Sequence, residues 1–196
     1  MIVLITGIFY DNYCKKKLDI VKQFLNKNDT ILDIGCGNPE QSYCIRELMK
    51  YPKWVGFDRN PVDTNRIIKG DINKIDIADN SFDVVLCLDV IEHFKDPKTI
   101  VEKLIKISKK KIIIITPITK YKFFRKFINI IRYVLGVGIL SGHYYEFFEH
   151  EIEEMAKGST IIEKKYIEFP LPYISKLLYK LNFVKSGIFI LEKDNN

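Results

Sequence analysis

The sequence of 196 residues has little of what marks a disulfide-bonded or zinc-binding protein. It contains only four cysteines, and no two of them form a Cys-x-x-Cys pair. They are Cys14, Cys36, Cys44 and Cys87. Cys36 and Cys87 fall at the ends of predicted buried strands, where a reduced thiol behaves as a small apolar side chain. The spacing favours reduced cysteines in a cytoplasmic protein and argues against a metal site.

Long apolar runs, linkers and internal repeats are also missing. The run from Ile2 to Ile8 is too short to span a bilayer, and it lacks the basic start and the cleavage site of a signal peptide. No stretch rich in Pro, Ser or Gln divides the chain. With 47% apolar and 29% charged residues, the composition is that of a soluble globular protein. We therefore predict a single domain over residues 1–196.

Charge of one sign is not clustered along the chain. The net charge is +6 and the pI is near 9.0, but lysines and acids are interspersed over most of the sequence. Such a pattern is typical of a solubilising surface, and the sequence shows no basic arm and no recognisable RNA-binding module. Nucleic acid is therefore not favoured as a partner, and the sequence does not indicate an oligomeric state.

What the chain does have is a strand that ends on glycines, within residues 30–39. The apolar run from Ile31 to Ile34 predicts a buried strand. It stops at Gly35 and Gly37, and a helical pattern begins near Glu40. Because glycine has no Cβ, this turn can bring backbone N–H groups close to a ligand. A bare Gly-x-Gly turn also joins ordinary strands and helices, so the turn alone does not identify a site.

Three further predicted strands end in polar groups. The strand from Trp54 to Asp58 ends in a carboxylate about 20 residues beyond the glycines, the spacing at which an acid can hold ribose hydroxyls. The strand from Ile67 to Lys69 runs into Gly70-Asp71, and the strand from Phe82 to Leu88 ends at Asp89. Because the carboxyl ends of parallel strands lie at one edge of a sheet, we expect these groups in one ligand-binding crevice.

These residues resemble the class I S-adenosylmethionine-dependent methyltransferases. The opening motif of that family, an acid followed by x-Gly-x-Gly-x-Gly, matches Asp33 to Pro39 except at the last glycine. The resemblance continues through Asp58, Gly70-Asp71 and the segment from Asp83 to His93. It covers residues 15–117 well and the remainder of the chain loosely.

The resemblance implies a doubly wound α/β fold, with a seven-stranded, mostly parallel sheet, helices on both faces and an antiparallel last strand. It also implies S-adenosylmethionine as the cofactor; a nicotinamide-binding turn would need Gly-x-Gly-x-x-Gly, but Glu40 stands at its last position. Asp33 would attract the cofactor's ammonium, Asp58 would accept from the ribose hydroxyls, and Asp71 would accept from the adenine amino group. The full set of expected cofactor-binding residues is Asp33, Gly35, Cys36, Gly37, Asp58, Arg59, Asp71, Ile72, Leu88 and Asp89.

The remaining elements follow from apolar periodicity and turn residues. We predict a helix over residues 15–26 and leave residues 2–9 as either a strand on the core or a cap over the site. A helix over residues 97–108 leads to a strand from Ile112 to Thr116, which Pro117 is expected to end. The last two strands are expected at residues 160–169 and 184–191, with a helix at residues 172–181 between them.

Residues 118–148 are expected to form a cap or lid inserted beside the crevice. Basic residues alternate there with aromatic and aliphatic ones, and this mixture suits a small-molecule or lipid-like methyl acceptor. Residues 118–142 could also lie on a membrane surface, which would place the protein in the cytoplasm with peripheral membrane contact. An inserted helix packed on the core is an equally open interpretation.

Two histidines are the candidate catalytic residues, because a hydroxyl or an acidic carbon acceptor needs a base near neutral pH. They are His143, in the polar-aromatic stretch at the end of the insertion, and His93, after the fourth strand. The Asn/Asp-Pro-Pro-Tyr/Phe motif of many amino methyltransferases is absent, and Asp89-Val-Ile-Glu-His stands in its place, as in small-molecule methyltransferases. Two alternatives stay open: a cofactor-binding protein without catalysis, and an RNA methyltransferase.

Overall fold

The computed structural model describes residues 2–40, 42–61, 65–119, 147–167 and 184–194. Seven strands in this part of the chain form one sheet, in the order β3-β2-β1-β4-β5-β7-β6. The strands are β1 Ile31–Ile34, β2 Trp54–Asp58, β3 Ile67–Lys69, β4 Phe82–Leu88, β5 Ser108–Thr119, β6 Ser159–Ile167 and β7 Val184–Lys193. The first five strands run parallel, and β7 is antiparallel to both β5 and β6. The predicted fold class is confirmed.

Helices cover both faces of this sheet. They are α1 Ile2–Lys22, α2 Tyr43–Leu48, α3 Pro97–Ile107 and α4 Glu149–Met155, with short 3₁₀ helices at Ile72–Lys74 and Ile91–His93. Helices α1 and α2 pack on one face and α3 and α4 on the other, so alternate residues of β4 enter opposite cores: Val84 and Leu86 face α1, whereas Val85 and Cys87 face α3. A strand buried on both faces explains why β4 and β5 read as nearly continuous apolar runs.

A carboxylate at the beginning of β4 joins the starts of three neighbouring strands. Asp83 Oδ2 accepts hydrogen bonds from the backbone N–H of Thr30 at 2.9 Å and from its hydroxyl at 2.8 Å. Lys110, on β5, lies 2.9 Å from the other oxygen of Asp83. These hydrogen bonds and the lysine hold the pKa of Asp83 well below its usual range. Strands β1, β4 and β5 are thus tied together at their starts.

The structure corrects the prediction for the N-terminal region. Residues 2–9 do not form a strand; they belong to the single helix α1, which begins at Ile2 and ends at Lys22. The apolar run contains no proline, and its one glycine, Gly7, costs a helix only about 1 kcal/mol. The helix ends four residues before the predicted Asn26, in a turn where Phe24 N donates to Val21 O.

The structure also corrects the bounds of the fifth strand. It begins at Ser108, four residues before the predicted Ile112, so Lys109 to Lys111 lie in β5. Nor does Pro117 end it, because the strand continues to Thr119. The pairing of β4 with β5 stops at Ile115, so the missing N–H of Pro117 removes no hydrogen bond to β4.

Residues 118 and 119 are therefore strand residues and not part of an insertion. Phe147 continues the sheet beside them: its N–H donates to Pro117 O, and its carbonyl accepts from Thr119 N. The rest of the predicted cap, residues 120–146, and the predicted helix at residues 172–181 lie outside the described residues. Within the described ranges, no helix is long and apolar enough to cross a bilayer. Membrane contact through residues 118–142 stays a prediction.

Candidate active site

Two adjoining cavities lie at the carboxyl ends of β1, β2 and β4. The first has a volume of about 290 Å³ and the second about 330 Å³, and both are lined by Gly35 and Asp89. All the residues predicted to bind the cofactor line one or both of them. The first holds Asp33, Gly35, Cys36, Gly37, Leu88 and Asp89; the second holds Gly35, Asp58, Arg59, Asp71, Ile72 and Asp89. Their binding of a cofactor stays a prediction, but the fold brings them into one crevice.

The glycine turn forms the ridge between the two cavities. Gly35 and Gly37 have φ values of +65° and +75°, in the left-handed region that favours glycine. A Cβ on Gly35 would lie 2.6 Å from Val90 Cγ2, whereas a Cβ on Gly37 would come no closer than 3.8 Å to Ile45 Cδ1. Gly35 N donates to Phe57 O at 2.7 Å, which fixes the turn against β2. The turn thus needs glycine at position 35, because a side chain there would be strained and would clash with Val90.

Asp58 fixes the far side of the same turn. One of its oxygens accepts a hydrogen bond from Gly37 N at 2.8 Å, and the other accepts from Asn60 N at 2.8 Å. A carboxylate oxygen has two lone-pair directions, so each oxygen can still accept from a ligand. The carboxylate is therefore held in position before any ligand arrives.

Asp33 lies beneath the turn and is almost completely buried. Trp54 Nε1 donates to Asp33 Oδ2 at 3.3 Å. Burial raises the pKa of Asp33 to about 7, with the negative charge of Asp58 adding to the effect and the Trp54 hydrogen bond opposing it. A cation entering the first cavity would stabilise the ionised form of Asp33.

Asp71 and Arg59 form the rim of the second cavity. Asp71 Oδ1 accepts from Asn73 N at 3.0 Å and from Asn73 Nδ2 at 2.8 Å, and these bonds lower the pKa of Asp71. Arg59 Nη2 lies 3.4 Å from the other oxygen. Ile72, next to Asp71, is buried at the base of this rim. The rim offers carboxylate oxygens beside an apolar surface, which suits a flat heteroaromatic ring with an exocyclic amine.

The structure adds a lysine that the sequence analysis missed. Lys17, on α1, lines the first cavity, is only 6% exposed and forms an ion pair with Asp89. Burial disfavours its charged form, but Asp89 outweighs this and holds the pKa of Lys17 above its usual range. The signal was present in the sequence: Lys17 interrupts the apolar stripe that contains Tyr13 and Val21, at helical spacing.

Both members of this ion pair have a further feature: Asp89 has a strained backbone, and Lys17 makes a second buried contact. Asp89 has φ +56°, which is uncommon for a residue with a side chain and is often found at functional sites. The Lys17 ammonium also lies 4.3 Å from the centre of the Tyr13 ring, and the Tyr13 hydroxyl is hydrogen-bonded to Ser186 Oγ on β7. Helix α1 is thus joined across the crevice to both β4 and β7.

The two candidate catalytic histidines have different outcomes. His93 is half-buried and lines the second cavity together with Phe94, so it lies in the crevice, but its catalytic role stays a prediction. His143 lies outside the described residues, and its catalytic role stays a prediction.

Comparison with known proteins agrees with this geometry. Residues 9–157 match the family model described as a methyltransferase domain. The tRNA U34 carboxymethyltransferase of Nautilia profundicola is 32% identical in an alignment of 117 residues that covers 51% of this chain and 38% of that protein. The enzyme of the same name from Sulfurimonas denitrificans is 32% identical in an alignment of 99 residues that covers 43% of this chain and 33% of that protein. The matched region therefore spans about a third of these relatives' length.

Solved structures share the fold at low sequence identity. A putative methyltransferase from Bacillus halodurans superposes with a TM-score of 0.65 at 15% identity, covering 92% of this chain and 100% of that one. Magnesium protoporphyrin IX methyltransferase from Synechocystis, solved with bound SAH (S-adenosylhomocysteine), has a TM-score of 0.64 at 13% identity, covering 99% of this chain and 88% of that one. These likenesses show the fold. Together with the family match, they establish that the chain belongs to the S-adenosylmethionine-dependent methyltransferases of class I.

Proposed function

We propose that this protein transfers the methyl group of S-adenosylmethionine to a small-molecule or lipid-like acceptor, with the cofactor bound along the two adjoining cavities. One observation carries the proposal. The first cavity is lined by a lysine and two aspartates, and the second by Asp58 and Asp71 on a partly apolar wall. This order of charges along one crevice matches the order of charges and donors along the cofactor.

The first cavity fits the amino-acid end of the cofactor. That end carries a carboxylate, an ammonium and the sulfonium, so it needs one cationic partner and two anionic ones. Lys17 would hold the carboxylate, and Asp33 and Asp89 would face the two cations. No side chain projects from Gly37, and a Cβ there would meet no atom closer than 3.8 Å, so the cofactor could approach the backbone of the turn closely.

The second cavity fits the nucleoside end. Asp58 is already oriented by Gly37 and Asn60, so it would accept from the ribose hydroxyls without rearranging. Asp71 has one oxygen tied to Asn73, and its other oxygen lies at the cavity rim, where it would accept from the adenine amino group. Ile72 would contact the face of the ring.

The cofactor supplies an activated methyl group that leaves in a direct displacement. The task of the protein is to hold the acceptor in line with the methyl and to exclude water. Helix α1 contributes to exclusion, because Tyr13 and Lys17 tie it across the crevice. His93, on the wall of the second cavity, would orient the acceptor or remove its proton.

The small or lipid-like acceptor class is supported by two features of the sequence. Asp89-Val-Ile-Glu-His follows β4 in place of the motif found in many amino methyltransferases. In the structure this segment folds back on the glycine turn, since Val90 fills the space over Gly35. Residues 120–135 mix basic with apolar side chains, a composition suited to an amphiphilic molecule. A cytoplasmic protein with peripheral membrane contact is part of this proposal.

RNA is the second candidate acceptor, and the comparison with the two tRNA U34 carboxymethyltransferases favours it. A pI near 9.0 would assist binding to a polyanion. Because the match covers only about a third of those proteins, their activity does not carry over without a test.

The experiment is transfer of a radiolabelled methyl group from S-adenosylmethionine to three acceptor pools: a metabolite extract, dispersed lipids and unmodified tRNA. We expect label in the metabolite or lipid pool and none in tRNA. Label in tRNA alone would replace the first candidate by the second. Absence of label from all three pools, with the cofactor still bound, would contradict the proposed acceptor classes. The Asp58→Ala variant serves as the control with impaired cofactor binding.

A further inference from the structure

A fully buried glutamate lies beside the crevice and has no role in the account so far. Glu92 is in the 3₁₀ helix that follows β4 and has no exposed surface. Its Oε2 accepts a hydrogen bond from Thr116 Oγ1, on β5, at 3.1 Å. Its Oε1 is also buried and has no hydrogen-bond partner among the residues that the structure describes. Such a half-satisfied buried carboxyl is costly, and groups of this kind are concentrated at functional sites.

The charge of Glu92 depends on its neighbours from three elements. Burial raises the pKa of Glu92 to about 8 and the negative charge of Asp89 adds to this, while Thr116 and Lys17 oppose it. The charge of Glu92 also interacts with two further groups, Tyr13 on α1 and Cys87 on β4. Near pH 7.5 the carboxyl therefore mostly carries its proton, and the ion pair of Lys17 with Asp89 leaves this part of the site neutral.

A cation bound next to Asp89 would change this balance. Asp89 lines both cavities, so a positive charge anywhere along the crevice approaches the pair of acids, Asp89 and Glu92. The charge of Asp89 raises the pKa of Glu92, so a cation that offsets the charge of Asp89 would favour the ionised form of Glu92 in the same low-dielectric region. Glu92 is the buried acid next to Asp89 that holds most of its proton near pH 7.5.

We propose that Glu92 balances the charge of the bound sulfonium: it releases its proton when S-adenosylmethionine binds and takes up a proton when the methyl group has been transferred. This inference rests on the proposed methyl transfer. In that step a bond forms between the methyl carbon and an oxygen or nitrogen of the acceptor. The bond from sulfur to carbon breaks, and its electron pair stays on sulfur. The proton lost by the acceptor is matched by the proton gained by Glu92, so the net charge of the buried site does not change.

Glu92 lines neither cavity, so we assign it a positioning role and not a contact with the acceptor. Its test therefore measures protons and not activity. The ligands S-adenosylmethionine and S-adenosylhomocysteine differ by the methyl group and the sulfonium charge. Both carry the ammonium that affects Asp33, so the contribution of Asp33 cancels when the two ligands are compared.

The experiment is isothermal titration calorimetry of each ligand at pH 7.5, in two buffers with different ionisation enthalpies. With a pKa of about 8, Glu92 is about three quarters protonated at pH 7.5, so we expect S-adenosylmethionine to release up to about three quarters of a proton more than S-adenosylhomocysteine. In the Glu92→Gln variant this difference should vanish while both ligands still bind. The matched control is Glu102→Gln on α3, an exposed acid that should keep the difference.

Equal proton release for both ligands in the parent protein would overturn the proposal, and so would a difference that persists in Glu92→Gln. If Glu92→Gln does not fold, Thr116→Val tests the proposal instead. Loss of the hydrogen bond from Thr116 should raise the pKa of Glu92, so the pH at which the two ligands differ most in proton release should move upward. An unchanged pH profile would contradict the proposal. Failure of S-adenosylmethionine to bind the parent protein at all would instead contradict the proposed function.

Discussion

Substitution of Gly35 by alanine should destabilise the protein by two separable effects. The first is backbone strain: at φ +65° an alanine costs about 1–2 kcal/mol. The second is overpacking, since the new methyl would lie 2.6 Å from Val90 Cγ2, and inserting a methyl into a filled space costs about 1–3 kcal/mol. We therefore expect Gly35→Ala to lose roughly 2–5 kcal/mol of unfolding free energy. Gly37→Ala is the matched control, because at φ +75° it meets no atom closer than 3.8 Å.

Urea denaturation of Gly35→Ala, Gly37→Ala, Val90→Ala and the double variant Gly35→Ala/Val90→Ala measures these effects. The Gly37→Ala loss should be about 1–2 kcal/mol, the backbone part alone. In the double variant the overpacking should disappear, so its loss should be smaller than the sum of the single losses by about 1–3 kcal/mol. Equal losses at the two glycines, together with additive behaviour of Gly35 and Val90, would refute the assignment of Val90 as the residue that fills the space over the turn.

Three further outcomes follow from the same geometry. Asp58→Ala should weaken cofactor binding by roughly 1–3 kcal/mol, through lost charge-assisted hydrogen bonds; calorimetry showing parental affinity in a folded variant would make Asp58 a purely structural residue. Asp83→Ala should lower the unfolding free energy by about 1–3 kcal/mol, because Thr30 loses both of its bonds to that carboxylate; an unchanged urea midpoint would contradict this. The pKa of Asp33 is raised to about 7 in the folded protein, so between about pH 4 and 7 Asp33 keeps a proton that it loses in the unfolded chain. The unfolding free energy should therefore fall as the pH rises through this range, by up to about 1.4 kcal/mol per pH unit. Asp33→Asn should flatten that part of the stability profile, and a slope of unchanged size would show that Asp33 ionises normally.

The sequence predicted the centre of the sheet well, because there the residue pattern within each strand agrees with the pairing between the strands. The runs at β1 and β4 are short, apolar and bounded by glycine or aspartate, so their positions and their parallel pairing follow from pattern alone. Every expected cofactor residue lies at or just after the carboxyl end of β1, β2, β3 or β4, and for that reason all of them line the crevice.

What the sequence did not predict depends on contacts between distant segments. The continuation of β5 through Pro117 is possible because β4 ends at Leu88, so no β4 residue needs the N–H that the proline lacks. The buried position of Lys17 depends on Asp89, which lies 72 residues away. The unsatisfied oxygen of Glu92 is a property of packing around one atom, and no pattern of residue types reveals it.

The central claim is that the crevice along β1, β2 and β4 is a site for S-adenosylmethionine. Calorimetric titration of the parent protein with S-adenosylmethionine, with S-adenosylhomocysteine and with NAD tests it most directly. We expect saturable, one-to-one binding of the first two ligands and no heat of binding with NAD. Binding of NAD without any response to the two adenosyl ligands would contradict the account.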